Sequence, residues 1–178
     1  MKHLFTVMSI LLLAGCSSVT TSFDYDKSAD FTKYKTYAFT EHATKMPGIQ
    51  ELDRDRILAA IDTEMAKRGF TKSDEPDALV DAFVKTEEEL SATATTPGSY
   101  GRWGYGYGWG SNTTHIDYNK YIKGTLFVGV IDKGTDKIVW QGRGSKTLNE
   151  KVSPARKEAN INSAVAAIFL KYPKSAGK

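Results

Sequence analysis

The segment 114–146 constrains the fold most, because its pattern predicts a long β-hairpin. Strand-forming residues continue from Thr114 to Asp132, and the turn Lys133-Gly134-Thr135 follows directly. The return strand, residues 137–146, is rich in bulky apolar residues at its start. We therefore expect these two strands to pair, with Gly124 marking a bulge or a bend in the first of them.

Three shorter strands are predicted before the hairpin. Residues 19–25 are rich in strand formers, and bulky aromatic residues alternate with small ones in 36–40. Residues 78–86 carry apolar side chains on both faces, which is typical of a central, well-covered strand. Residues 87–112 are expected to form a long irregular stretch.

Two helices complete the pattern. Apolar residues recur at helical spacing in 51–68, and Gly69 is a natural residue to end that helix. A second helix is predicted over 154–171, because Ser153-Pro154 supplies a cap and a first-turn proline. The order of elements predicts an α+β domain, with an antiparallel or mixed sheet of about five strands and two helices packed on one face.

The amino-terminal segment has the layout of an export signal. Lys2 precedes an apolar stretch of about 11 residues, which is too short to span a membrane as a helix. The sequence Leu13-Ala14-Gly15-Cys16 resembles the bacterial lipobox, which implies removal of residues 1–15 and acylation of Cys16. We expect a short lipid-anchored tether over 16–22 and a single domain over 23–178. In lipoprotein sorting of the enterobacterial kind, an aspartate after the cysteine retains the protein in the inner membrane, and under that rule Ser17 implies the periplasmic face of the outer membrane.

The net charge and the cysteine count limit which kinds of protein this chain can be. The formal net charge is +3, and it becomes +2 after removal of residues 1–15, whose only Lys, Arg, Asp or Glu is Lys2. So balanced a charge argues against dedicated nucleic-acid binding. Cys16 is the only cysteine, so the domain has no disulfide and depends on its hydrophobic core.

The most unusual internal feature is a loop over 97–112 in which glycines alternate with aromatic residues. Rings spaced in this way are suited to contact with a sugar, a lipid headgroup or a protein partner. The alternative is a low-complexity insertion between strands, and we favour it because loops vary freely and compositional bias alone is weak evidence of function. The candidate contact residues of the loop are Tyr100, Trp103, Tyr105, Tyr107 and Trp109.

No catalytic or metal-binding pattern emerges from the sequence. Residues 24–30 place acidic and hydroxyl side chains at alternate positions, as a calcium loop does, but Ala29 and Lys35 replace the glycine and glutamate such a loop needs. A polar turn is the better interpretation. His42 and His115 belong to no ligand cluster, so we expect neither a metal nor another cofactor. His115 and Asp117, two residues apart on one strand, are the nearest candidates for an enzyme site.

Several blocks carry a family resemblance over roughly residues 19–173. They are Asp24-Tyr25-Asp26, Asp30-Phe31, residues 34–39, Arg68-Gly69-Phe70, residues 76–80, residues 124–128, residues 138–142 and Tyr172-Pro173. Together they resemble the bacterial lipoproteins grouped as domain of unknown function 4136. The resemblance implies a fold and a location, and the family has no established activity to carry over.

These observations lead to a functional expectation. We expect a non-enzymatic binding or scaffolding module, held at the outer membrane by acylated Cys16, with an envelope protein or a glycan as its partner. An envelope enzyme with an unrecognised site is the alternative, and a purely structural role in envelope integrity is a third possibility. The oligomeric state is not determined by the sequence.

Overall fold

The computed structural model describes residues 19–95, 115–149 and 151–173. Its elements are β1 Thr20–Tyr25, a 3₁₀-helix Phe31–Lys33, β2 Thr36–Phe39, α1 Glu41–Lys45, α2 Glu51–Lys67, β3 Thr71–Lys72, β4 Ala78–Thr95, β5 His115–Asp132, β6 Lys137–Leu148 and α3 Pro154–Phe169. Strand β1 begins inside the segment 16–22 that the sequence assigns to the tether, since its threonines pair with β6.

The described strands form one mixed sheet in the order β1-β6-β5-β4-β2-β3. Strand β2 is parallel to β3 and to β4, and the remaining neighbours are antiparallel. The predicted α+β class is confirmed, with six strands and three α-helices in place of about five and two. The short elements α1 and β3 escaped the sequence analysis because five and two residues carry too little periodicity.

The prediction that residues 87–112 form an irregular stretch is wrong for the first part of that stretch. Strand β4 continues to Thr95, and its pairing with β5 is continuous from Ala78 opposite Asp132 to Thr95 opposite His115. Each strand supplies the backbone hydrogen-bond partners of the other, and this pairing keeps the residues after Thr86 extended.

Gly124 does not mark the expected bulge, because β4 and β5 stay in register through it. The irregularity of this hairpin lies between Val130 and Ile131 in their pairing with β6. At Gly124, a Cβ atom would lie 3.0 Å from both Cδ atoms of Leu148. The glycine therefore accommodates a neighbouring side chain rather than a kink.

Helices α2 and α3 cover one face of the sheet. Trp140 is fully buried there, and its ring stacks on that of Phe169 at a centroid distance of 5.3 Å. Gly142 and Gly144 let α3 approach β6, because a Cβ atom on either would lie within 3 Å of Ile168. The core is therefore concentrated between the helices and this face.

The opposite face of the sheet is open, which corrects the expectation that β4 is buried on both faces. Ala78, Val80 and Ala82 are buried toward the helices, whereas Phe83 on the other face is 39% exposed. Strand β4 is central in the sheet order, between β5 and β2, but only one of its faces is covered.

Candidate functional site: the open face of the sheet

One row of side chains crosses four strands of the open face. Ser22 pairs with Arg143, Arg143 pairs with Phe127, and Phe127 pairs with Phe83. Because side chains alternate between faces, and the neighbouring Gly142 and Gly144 face α3, these four project away from the helices. We call Ser22, Arg143, Phe127 and Phe83 the central row.

The two phenylalanines of the central row form a stacked pair. Their ring centroids lie 4.7 Å apart and their planes differ by 8°. His42 from α1 lies at the edge of the face, with its ring centroid 5.9 Å from that of Phe83. The stacking restricts both aromatic side chains before any ligand arrives, which reduces the entropy lost on contact.

Arg143 is the cation of the central row. Its Nε atom donates to the Ser22 hydroxyl at 2.5 Å, and its side chain is exposed. Within the described part of the chain, its remaining guanidinium N–H groups have no protein acceptor. These donors are available for a group outside the chain, and their planar arrangement suits a carboxylate or a phosphate.

A hollow of about 470 Å³ lies on one side of the central row. Gly129 is part of its lining, and a Cβ atom built there would meet nothing within 4 Å. In the register, Gly129 stands between Gln141 on β6 and Asp81 on β4, with Asp24 at the end of the same row. The missing side chain leaves a gap that is bordered by polar groups and by the aromatic pair.

A second hollow, of about 700 Å³, lies on the other side of the row, and both hollows share Ser22, Arg143 and Phe127. Its charges are largely paired. Lys85 lies 2.7 Å from Glu87, and Lys123 lies 3.0 Å from Glu89.

Glu89 in this second hollow also accepts a hydrogen bond from the Tyr121 hydroxyl at 2.6 Å. That bond, together with the bond from Lys123, lowers the pKa of the Glu89 carboxyl. Glu89 is therefore a charged acceptor at neutral pH, with both of its oxygens engaged.

His42, which the sequence places in no ligand cluster, has a half-exposed side chain that contacts Asp81. The Nδ1 atom lies 3.1 Å from Oδ1 of that carboxylate, and the Thr40 hydroxyl donates to the same oxygen. Asp81 is thus held at the rim of the first hollow by Thr40, which caps α1, and by His42 in α1. Its second oxygen lies 3.3 Å from the same His42 Nδ1 atom, and the Asp81 side chain is 27% exposed.

The candidate site residues named in the sequence analysis fall largely in parts of the chain whose side chains are not described. Cys16 and the candidate contacts Tyr100, Trp103, Tyr105, Tyr107 and Trp109 lie outside the described residues. His115 and Asp117 lie in β5, opposite Thr95 and Thr93, but their side chains are likewise not described. The aromatic loop joins two strands that are paired up to Thr95 and His115.

The segment with calcium-like spacing forms the polar turn that the sequence favours. Asp26 accepts from the amide and the hydroxyl of Ser28 at 2.8 and 2.6 Å. Asp30 caps the 3₁₀-helix through the amide of Thr32. In residues 19–95, 115–149 and 151–173, no group of three or more His, Cys, Asp or Glu is placed to hold a metal ion.

The central row was not found from the sequence, although part of its signal was present. Phe83 and Phe127 lie at alternating strand positions, and the alternation itself is readable. Both faces of the strand that carries Phe83 were expected to be buried, because an apolar residue on a strand is more often buried than exposed. Only the register shows that Arg143 and Ser22 continue the same row.

The fold and the open face define an α+β domain whose mixed sheet is covered by helices on one side. In the described part of the chain, no helix is both long enough and apolar enough to cross a membrane. The chain matches the model of the family described as Domain of unknown function (DUF4136) over residues 21–174, and it belongs to that family. This result confirms the resemblance seen in the sequence.

Solved structures resemble the domain at low sequence identity. A PDZ domain protein from Parabacteroides distasonis has a TM-score of 0.54 and 16% identity over 90% of this chain. The match covers 36% of that protein's chain, so it concerns the fold of one part of it. PelC from Paraburkholderia phytofirmans, solved as a dodecamer, has a TM-score of 0.44 and 10% identity, covering 85% of this chain and 95% of its own. Among curated proteins, none matches the chain.

Proposed function

We propose that the protein is a lipid-anchored, non-enzymatic binding module at the periplasmic face of the outer membrane, and that the open sheet face is its contact surface. The observation that carries this proposal is the central row. It places a preformed aromatic pair and an arginine with available donors side by side, between two hollows.

The aromatic pair is better explained by binding than by folding. Phe83 is 39% exposed, although the same strand buries Val80 and Ala82 against the helices. Clustered aromatic and arginine side chains are typical of the residues that contribute most to binding, whereas single exposed apolar residues need no explanation. The concentration of both types in one cross-strand row therefore supports a ligand-contacting role.

The anchor and the row are close together in the chain. Strand β1 begins at Thr20, only four residues after Cys16, and an extended chain of that length reaches about 14 Å. Ser22, the first member of the central row, lies in the same edge strand. With Cys16 acylated, one end of the row would be held near the bilayer surface, within reach of envelope components.

A photoreactive phenylalanine analogue at position 83, in the full-length protein in intact cells, tests the contact surface. The control places the same analogue at Leu170, which is 75% exposed at the end of α3 on the other side of the sheet. We expect discrete crosslinked products from position 83 and none of them from position 170. The same products from both positions, or none from position 83, would contradict the proposal.

A further inference from the structure

We infer that the ligand of the open face is an acidic saccharide, a glycan whose uronic acid carboxylate binds Arg143. This inference rests on the proposed function and names the ligand class for the same surface. Bidentate hydrogen bonding to a carboxylate uses the two guanidinium nitrogens that the Ser22 contact leaves available. Ser22 meanwhile holds Nε, which orients the guanidinium plane.

Among the residues that the structure describes, one cation on the open face has no carboxylate within ion-pair distance, and the carboxylates of Asp24 and Asp81 lie in the neighbouring row. Lys85 and Lys123 are already paired with Glu87 and Glu89. Within the described residues, Arg143 is the cation on this face that lacks a carboxylate partner. A sugar acid presents one carboxylate per ring, so a single ring can place its carboxylate at Arg143.

The remaining groups match the rest of a sugar ring. Hydroxyl groups can donate to Asp81, whose second oxygen has no described protein donor closer than His42 at 3.3 Å, and to the exposed Asp24 and Gln141. The gap above Gly129 admits the ring between these groups. Phe127 and then Phe83 follow Arg143 at strand spacings of about 4.8 Å, so the apolar C–H faces of a bound chain lie against the aromatic pair.

An extended peptide fits this surface less well. Peptides that join sheets bind through backbone hydrogen bonds at a sheet edge. The central row lies on a face, and the backbones of β5 and β6 are paired on both sides at this point. Recognition here therefore depends on side chains, which favours a ligand rich in hydroxyl groups over a β-strand.

Titration calorimetry of the mature acylated protein in detergent micelles tests the inference. The probe is an oligogalacturonate, and the matched probe is the same oligomer with its carboxylates methyl-esterified, which keeps the rings and removes the charge. We expect the wild type to prefer the acid by about tenfold or more, as a charged bidentate contact implies. Arg143→Gln should reduce that preference to near unity.

Arg156→Gln is the control variant, because Arg156 is also an exposed arginine and lies at the start of α3, away from the open face. It should keep the wild-type preference. Phe127→Ala should weaken binding of both oligomers, since it removes ring contact rather than charge. Equal binding of acid and ester by the wild type, or an unchanged preference in Arg143→Gln, would overturn the inference.

The two proposals fail in different ways. If neither oligomer binds while the analogue at position 83 still gives discrete products in cells, the saccharide inference is wrong and the contact surface stands. If position 83 gives no products and neither oligomer binds, both are wrong. Acid-selective binding that depends on Arg143 supports both.

Discussion

The Tyr34 hydroxyl donates a hydrogen bond to Oδ2 of the buried Asp132 at 2.7 Å. This bond connects the segment before β2 to the turn between β5 and β6. Lys33 pairs with the same oxygen. The other oxygen accepts from the amides of Gly134 and Thr135 at 2.8 and 2.9 Å. One carboxylate therefore organises the turn and attaches a distant segment to it.

This arrangement predicts a specific acid sensitivity. The hydrogen bonds from Lys33 and then Tyr34 hold the pKa of Asp132 well below its usual range. A lowered folded-state pKa stabilises the protein above the unfolded value of about 4, and this stabilisation is lost as pH falls further. Asp132→Asn should lower the free energy of unfolding at pH 7 by about 2 kcal/mol. The difference from wild type should shrink between about pH 5 and pH 2.

Urea unfolding at a series of pH values measures this effect. Asp136→Asn is the matched control, since Asp136 is an exposed carboxylate in the same turn, with a φ of 52° that asparagine also tolerates. The control should follow the wild-type profile. A constant difference between Asp132→Asn and wild type at all pH values would show that the carboxylate charge is not the cause.

Two glycines on adjacent strands should respond oppositely to alanine. At Gly142, a Cβ atom would lie 2.6 Å from Cη2 of Trp140 and 2.7 Å from Cγ2 of Ile168, so Gly142→Ala should destabilise by about 1–3 kcal/mol. At Gly129 nothing lies within 4 Å, so Gly129→Ala should stabilise by about 0.5–1 kcal/mol. Thermal unfolding of both variants tests this contrast.

Gly129→Ala has a second expected effect, because its methyl group would enter the gap of the first hollow. It should weaken oligogalacturonate binding while raising the unfolding temperature. A gain in stability without any loss of affinity would show that the ligand does not occupy the gap.

Arg68 fastens α2 to the end of α3. Its Nη2 atom donates to the Phe169 carbonyl at 2.5 Å, and its Nη1 atom donates to Oε2 and the carbonyl oxygen of Glu64 at 2.7 and 2.8 Å. The guanidinium also lies over the Phe169 ring, 5.2 Å from its centroid. Arg68→Ala should cost about 3 kcal/mol, because it leaves a buried carboxylate short of a partner. Lysine should restore only part of that, since it lacks the planar fork.

The control for Arg68 uses the same carboxylate. Lys67 pairs with Glu64 at 2.7 Å but is 61% exposed, so Lys67→Ala should cost less than about 1 kcal/mol. Chemical unfolding of Arg68→Ala, Arg68→Lys and Lys67→Ala measures how much free energy of unfolding each variant loses. Equal losses from Lys67→Ala and Arg68→Ala would show that the contact to α3 contributes nothing.

The proposed role of Cys16 as the membrane anchor is tested by the cellular fraction in which the protein is found. Cys16→Ala should release the protein from the membrane fraction into the soluble periplasmic fraction, because one thiol carries the expected acyl anchor. Fractionation of cells with antibody detection measures this, and Ser17→Ala serves as the control that should remain with the membrane. Retention of Cys16→Ala in membranes would place the attachment elsewhere in the chain.

The sequence predicted most of the secondary structure because long apolar patterns are local properties. The β5–β6 hairpin has alternation, a turn and bulky strand formers within 33 residues, and α2 and α3 have caps together with helical spacing. The end of β4 was missed because residues 87–95 are mostly polar, and only their pairing with β5 keeps them extended. Gly124 was misassigned because glycine in a strand fits either a bulge or a close neighbour.

The sequence by itself determined the class of fold, the family and the candidate anchor at Cys16, since periodicity, capping residues and contiguous motifs lie within short stretches of chain. Only the tertiary structure decided which face of the sheet is open and which residues meet on it. Ser22, Arg143, Phe127 and Phe83 come from four strands, and only the cross-strand pairing shows that they share one row. A slip of one residue would turn each of them toward the helices, and burial of the opposite face against the helices, which is a tertiary contact, opposes that slip.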